Sequence, residues 1–321
     1  MSVLKNHPST KRQIATTKLI QIGVWLVLAA LVTILTTFGI YYYWDRYVHL
    51  GDQSPAERNI EQMEQVIRED PQDPDTRVAL AEYYLSAGMS QDALALSRQV
   101  IDHYPDHGGA LLIAGVAATR LDQPEAALEP LSQFISQRRE HPMGQADLAL
   151  EAAYYYLGES YLKLDRPQES IAALEAAVSI SPTDADALYQ LGLAYQATGQ
   201  PEAALDKYHQ AVRLVPDFTE VYGEMVISYE ALGWSDHAAY ARGMQAFATQ
   251  DYELAQTHLE QATRALPNFA PVFFGLGMTY EAIGQLETAQ IAMERALELN
   301  PDDFATRHAF GRIQLALTSQ D

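Results

Sequence analysis

Residues 185–218 read ADALYQLGLAYQATGQPEAALDKYHQAVRLVPDF. Gly199 divides the stretch into two apolar-periodic halves, and Pro216 closes it. Glycine is favoured just past a helix end, and proline stops a helix at the residue before it. The stretch therefore predicts two helices joined by a tight turn. The same layout recurs along the chain. Pro71 and Pro105, Pro182 and Pro216, and Pro267 and Pro301 are each 34 residues apart. Each closes a similar phrase: REDPQDPD, VSISPTDAD, VRLVPDFTE, TRALPNFAP, LELNPDDFA. Turn residues sit within the units at Gly88, Asp122, Asp165, Gly199, Gly233 and Gly284. A 34-residue period holding two helices is a solenoid signature.

The residues filling this period carry a resemblance. Leu188, Leu191, Gly192, Tyr195, Ala204, Tyr208, Ala211 and Pro216 form one set. Phe273, Leu276, Gly277, Tyr280, Ala289, Met293, Ala296 and Pro301 form a second, and Tyr154, Leu157, Gly158, Tyr161, Ser170, Leu174, Ala177 and Pro182 a third. Weaker sets contain Leu80, Ala81, Tyr84, Ala93 and Pro105, then Leu111, Gly115, Ala127, Leu131 and Phe134. The pattern resembles the tetratricopeptide repeat family over residues 57–317. Small residues let paired helices approach closely, and bulky ones fill the space between units. No unit buries its own apolar face, so only the stack is stable. The expected fold is an all-α, right-handed α-solenoid of helix-turn-helix repeats with one N-terminal transmembrane helix. Its parts are a half-unit cap at 57–71, repeats near 74–107, 108–141, 151–184 and 185–218, one and a half repeats over 219–267, a repeat at 270–303 and a closing helix at 304–317.

Three departures qualify the repeat. Arg77 stands where a bulky residue belongs, which suggests that the half-unit cap covers the site only in part. The third full unit begins at Glu151, nine residues late. The segment MGQADLALEAAYYYLGESYLKL looks helical throughout and predicts a first helix longer by about two turns. Pro216 to Pro267 is 51 residues, one and a half periods. Helices are expected there at about 219–231, 235–248 and 252–265, the middle one serving two units.

Charge and composition set the surroundings. Residues 1–18 carry Lys5, Lys11, Arg12 and Lys18 and no acid. The whole chain has net charge −21, so the remainder carries −25. That balance argues against non-specific nucleic-acid binding, which needs Lys and Arg. With no cysteine there is no disulfide or thiolate site. Leu19 to Trp44 holds no charge. As a helix, Leu19–Tyr43 runs roughly 37 Å, enough to cross a hydrocarbon core of about 30 Å. Tyr41, Tyr42, Tyr43 and Trp44 suit the headgroup layer, and Lys18 can snorkel. A cleaved signal would have a shorter apolar core followed by small residues, so the length rules favour an anchor. The expected order is a basic cytoplasmic tail (1–18), a transmembrane helix (19–44), a juxtamembrane linker (45–56), the repeat array beyond the membrane, and a short tail (318–321). The positive-inside bias sets this orientation; in a bacterium the array would be periplasmic or on the outer surface. Ser54-Pro55-Ala56-Glu57 reads as the start of the first helix beyond the linker.

In the tetratricopeptide family the first helices of the units line a concave groove. The resemblance places there Glu82, Leu112, Val116, Tyr155, Glu159, Tyr189, Leu193, Ile227, Glu230, Tyr240, Met244, Phe274, Met278 and Glu281. Tyr and Phe give large rigid contact area, and Met adapts to varied shapes. The set implies a peptide or helix partner with apolar anchors and nearby Lys or Arg. Relatives that grip a C-terminal carboxylate need Lys, Arg and Asn in the groove, where this chain offers only Lys163 and Arg120. Catalytic and metal signals are poor. His103 and His107 flank Pro105, which spoils helical ligand geometry. Asp70, Asp73 and Asp75 lack the glycine and distal glutamate of a calcium loop and read as a capped turn. Gly275 and Gly277 follow no strand and form no phosphate loop. No enzyme, cofactor or metal is expected. Two functions remain: a membrane-tethered interaction scaffold, for which the resemblance implies a role as an assembly or secretion helper, or a structural membrane protein that assembles with itself.

Overall fold

The computed structural model describes residues 25, 27, 28, 30–40, 42, 55–69, 73–139 and 147–319. The chain divides into two compact units, residues 1–65 and 66–321. In the first, the described residues between Trp25 and Tyr42 are helical and exposed, and helix α1 (Pro55–Glu69) begins there. No helix among the described residues is long and apolar enough to cross a membrane. Much of the expected span, including residues 19–24, 43 and 44, lies outside the described residues, as does Ser54.

The second unit continues with α2 (Pro74–Ser86), α3 (Ser90–His103), α4 (Gly108–Arg120), α5 (Pro124–Arg138), α6 (Leu148–Lys163), α7 (Pro167–Ile180), α8 (Ala185–Ala197) and α9 (Pro201–Leu214). Then come α10 (Thr219–Ala231), α11 (Ser235–Ala248), α12 (Tyr252–Ala265), α13 (Ala270–Ala282), α14 (Leu286–Leu299) and α15 (Phe304–Thr318). No strand occurs among the described residues. Local chemistry sets the ends. Asp73, Asp147, Asp184, Asp251 and Asp303 cap helices by accepting backbone N–H bonds that the first turn leaves open. Pro74, Pro124, Pro167 and Pro201 open helices where no N–H is needed. His107 caps α4, its Nδ1 accepting from Ala110 N at 3.3 Å.

Within each unit the two helices meet at one close approach. A Cβ on Gly192 would lie 2.2 Å from the Tyr208 ring. The same clash links Gly115 to Leu131, Gly158 to Leu174, Gly243 to Leu259 and Gly277 to Met293, always sixteen residues apart. In the first full unit Ala81 and Ser97, both fully buried, hold these places. The bulky partners Leu131, Leu174, Tyr208, Leu259 and Met293 are fully buried, each worth about 1.5–3 kcal/mol in apolar transfer.

The helices expected between Pro216 and Pro267 are present as α10, α11 and α12. Left-handed backbone turns fix their phase. Gly199, Gly233 and Gly284 have φ of 72°, 74° and 79°, and Gln250 has φ 64°. Gly199 to Gly233 is one full period, Gly233 to Gln250 only half of one, and Gln250 to Gly284 full again. Thus α10 is a half-unit that shares its second helix with the unit that follows. Helix α11 packs both as second helix to α10 and as first helix to α12. Every-other-helix contacts run through α2, α4, α6, α8 and α10, then through α11, α13 and α15. Because α10 and α11 are partners in opposite layers, the inner row changes layer at this point.

The late third unit differs from expectation. Helix α6 starts at Leu148, where the Asp147 carboxylate accepts from Ala149 N and Leu150 N at 3.0 and 3.2 Å and pairs with Arg138. At 16 residues it exceeds the 13-residue α8 by less than one turn. The cap stops it, since Asp147 is extended at ψ 96°. Residues 143–146 of the segment read as helical lie outside the described residues.

Candidate functional site

The residues expected on one groove fall into two groups. In the first inner row, Glu82 on α2 is exposed and Leu112 on α4 half-buried, while Val116 is buried against its neighbours. Tyr155 and Glu159 on α6 and Tyr189 and Leu193 on α8 are all half-buried. Ile227 (51 % exposed) and Glu230 on α10 face solvent, with Glu230 paired to Arg242. The row is acidic around α6 and α8. Lys163 holds Glu159 at 3.1 Å and Asp122 at 3.4 Å. Burial, followed by the charges of Glu159 and Asp186, pushes the Tyr155 phenol far above its ordinary value. Burial, then Glu224 and Glu220, does the same more mildly for Tyr189. A cation would be welcome beside these rings.

Tyr240 and Met244 were expected to open on the same groove, and here the reading is corrected. They are 3 % and 2 % exposed. Helix α11 is held among α10, α12 and α13, so its surface becomes core. Phe274, Met278 and Glu281 on α13 are half-buried, but they belong to the second row. There Arg312 of α15 grips Glu281 through two bonds of 2.6 Å and reaches Met278 Sδ at 3.6 Å.

The change of layer opens a cleft. It has a volume of about 480 Å³ and is bounded by α9, α10, α11, α13 and the start of α15. Tyr222, Tyr240, Met244, Phe274 and Phe304 supply its apolar walls. The Tyr222 hydroxyl donates to Pro216 O at 3.0 Å. Behind the cleft lies a cluster of rings: Tyr240 meets Phe269 edge-on at 5.1 Å, and His237 meets Phe269 at 5.1 Å and Tyr229 at 5.3 Å. His209 Nε2 lies 2.7 Å from the Tyr229 hydroxyl. Burial, with Arg213 nearby, brings His209 down to about 4, so the ring is neutral at pH 7. Sequence reasoning passed over His209, Arg213 and Phe304. The available signals were Gly243 and Leu259, the same sixteen-residue pair found elsewhere, which mark 236–269 as a complete unit.

A further buried group stands at the α6–α8 contact. Glu151 is 9 % exposed, and its Oε1 has no hydrogen-bond partner. Burial, then the Asp184 carboxyl beside it, raises Glu151 to about 7. Among the described residues no group of three or more His, Asp or Glu side chains could hold a metal ion.

Paired helices on a 34-residue period, most of the pairs closed by a glycine against a bulky partner, define a repeat scaffold for protein–protein interaction. Models of the tetratricopeptide repeat match residues 78–142, 149–217 and 246–312, together more than half of the chain. The chain belongs to the tetratricopeptide repeat family. The matches leave out 218–245, the stretch that holds the half-unit. Among solved structures, MamA from residue 41 onward of Desulfovibrio magneticus RS-1 is 22% identical, covering 56% of this chain and 96% of that chain at a TM-score of 0.48. A tetratricopeptide repeat protein from Parabacteroides merdae ATCC 43184 is 14% identical, covering 86% and 97% at 0.45. The APC/C hetero-tetramer Cut9–Hcn1 is 14% identical, covering 81% and 46% at 0.44. These scores carry no argument about binding. No curated protein matches the sequence.

Proposed function

We propose that this protein is a membrane-tethered scaffold that holds a segment of a partner protein along the inner row of its N-terminal repeats, in the service of that partner's assembly or secretion. The observation that carries the reading is the half-buried row of Tyr155, Glu159, Tyr189 and Leu193, aromatic and acidic together. Such a surface fits apolar anchors accompanied by Lys or Arg. The tether is supported by the charge-free run Leu19–Trp44. Trp25, Val32, Leu35 and Phe38 along it are at least half exposed on a helix, as befits a surface meant for lipid rather than water. Thr36 and Thr37 turn their hydroxyls back to Val32 O and Thr33 O at 2.8 and 2.7 Å, so neither presents an open donor to hydrocarbon. The basic tail would then be cytoplasmic and the repeats on the other side.

The test places a photo-crosslinking residue at Tyr189 or Leu193 in the full chain, in cells. A discrete protein adduct that disappears with Glu159→Lys supports the reading. No adduct at either position, or adducts indifferent to Glu159→Lys, removes the groove. Release of the chain from membranes by alkaline carbonate removes the tether, and resistance of the repeats to protease added to spheroplasts reverses the orientation.

A further inference from the structure

We propose that the cleft at the half-unit junction is a second ligand site, separate from the N-terminal row, and that it takes a partner peptide in which an apolar side chain is accompanied by a single carboxylate. A regular array could not build this site. The half-period slip moves the inner row into the layer of α9, so residues of α9 line one cleft with residues of α11, α13 and α15. The resulting volume of about 480 Å³ falls within the range of about 300–1,000 Å³ usual for ligand pockets. Phe304, although a wall of the cleft, is 77 % exposed. An aromatic side chain left so open at a cleft mouth gains by being covered.

Polar groups give the occupant its chemistry. Tyr240 is 3 % exposed and lines the cleft, yet among the described residues its hydroxyl has no hydrogen-bond partner. The hydroxyl oxygen is not enclosed and opens on the cleft, where an occupant can replace water as its partner. The charges can be sorted in the same way. Asp206 is held by Lys207 at 3.0 Å and by the Gln210 amide at 2.9 Å. Asp303 is committed to the cap of α15, accepting from Thr306 N at 2.8 Å. His209 shares its Nε2 with Tyr229. Arg213 is the lining charge that makes no ion pair among the described residues. It is exposed at the rim, where a guanidinium suits a carboxylate. The net charge of −21 disfavours an acidic run. One carboxylate beside an apolar anchor satisfies both conditions.

The test uses the full chain in lipid nanodiscs with methyl-labelled methionine, read at the Met244 methyl group by NMR. The probe is the capped peptide acetyl-Leu-Phe-Glu-Leu-amide, compared with its glutamine counterpart. Saturable shifts are expected for the glutamate peptide, at least tenfold weaker for the glutamine peptide, and at least tenfold weaker for the glutamate peptide on Arg213→Gln. Tyr240→Phe should weaken binding severalfold while leaving the methyl spectrum folded. Tyr155→Ala, in the other row, should change nothing, so failure here leaves the N-terminal groove standing. Absence of a saturable shift, equal binding of the two peptides, or indifference to Arg213→Gln overturns the proposal.

Discussion

Replacing Glu151 by Gln should stabilise the protein at pH 8 and do so much less at pH 5. Glu151 is buried between α6 and α8, close to Asp184, with Oε1 unpartnered. Burial, reinforced by Asp184, raises it from 4.5 to about 7. Between those values the folded protein keeps a proton that the unfolded chain has released. Stability from this group is therefore full below about pH 4.5 and is lost as pH rises through about 7. At about 1.4 kcal/mol per unit, the rise corresponds to an upper limit of about 3 kcal/mol, reduced by whatever water reaches the carboxylate. Glutamine keeps the volume, carries no charge and can donate to Asp184. The assay is urea unfolding of the full chain in detergent, followed by far-UV circular dichroism at pH 5 and pH 8. The wild-type midpoint should fall between the two pH values more than that of E151Q, and the difference between the proteins should be much smaller at pH 5 than at pH 8. An equal difference at both pH values, or none at pH 8, would refute the claim that Glu151 sits as an unwelcome buried charge.

Gly192→Ala should destabilise by about 1–3 kcal/mol through overpacking, because the new methyl group meets the Tyr208 ring. Gly311→Ala, with nothing within 4 Å on α15, should stabilise by about 0.5–1 kcal/mol; thermal unfolding of the two variants checks both signs. Leu259→Ala should cost about 2–5 kcal/mol if 236–269 is a full unit closed by Gly243, and hydrogen exchange should show the loss centred on α11 and α12. Arg312→Ala should cost under about 1 kcal/mol in 0.1 M salt, since its pair with Glu281 is partly exposed, and the loss should appear as faster exchange in α15.

Much of the helix placement was legible because its causes are local. Asp184 caps α8, Pro201 opens α9 and Gly199 takes the left-handed turn between them, each by chemistry within a few residues. The slip at 219–267 was visible as 51 residues between prolines. Its consequence was not. Tyr240 and Tyr189 look alike in the sequence, each an aromatic three residues before a helix glycine, Gly243 or Gly192. One is 3 % exposed and the other only half-buried, because the stack decides which face of each helix its neighbours cover, and neither helix decides that alone.

By itself, then, the sequence determined the period, the turns and caps, the small–bulky pairs and the family, because these depend on steric and hydrogen-bonding preferences acting over one unit. Only the tertiary structure decided that the inner row changes layer, that Tyr240 and Met244 are buried, that a cleft opens beside Arg213, and that Glu151 holds its proton near neutral pH. Those outcomes depend on which surfaces abut and how much water they exclude, and residues far apart in the chain set both.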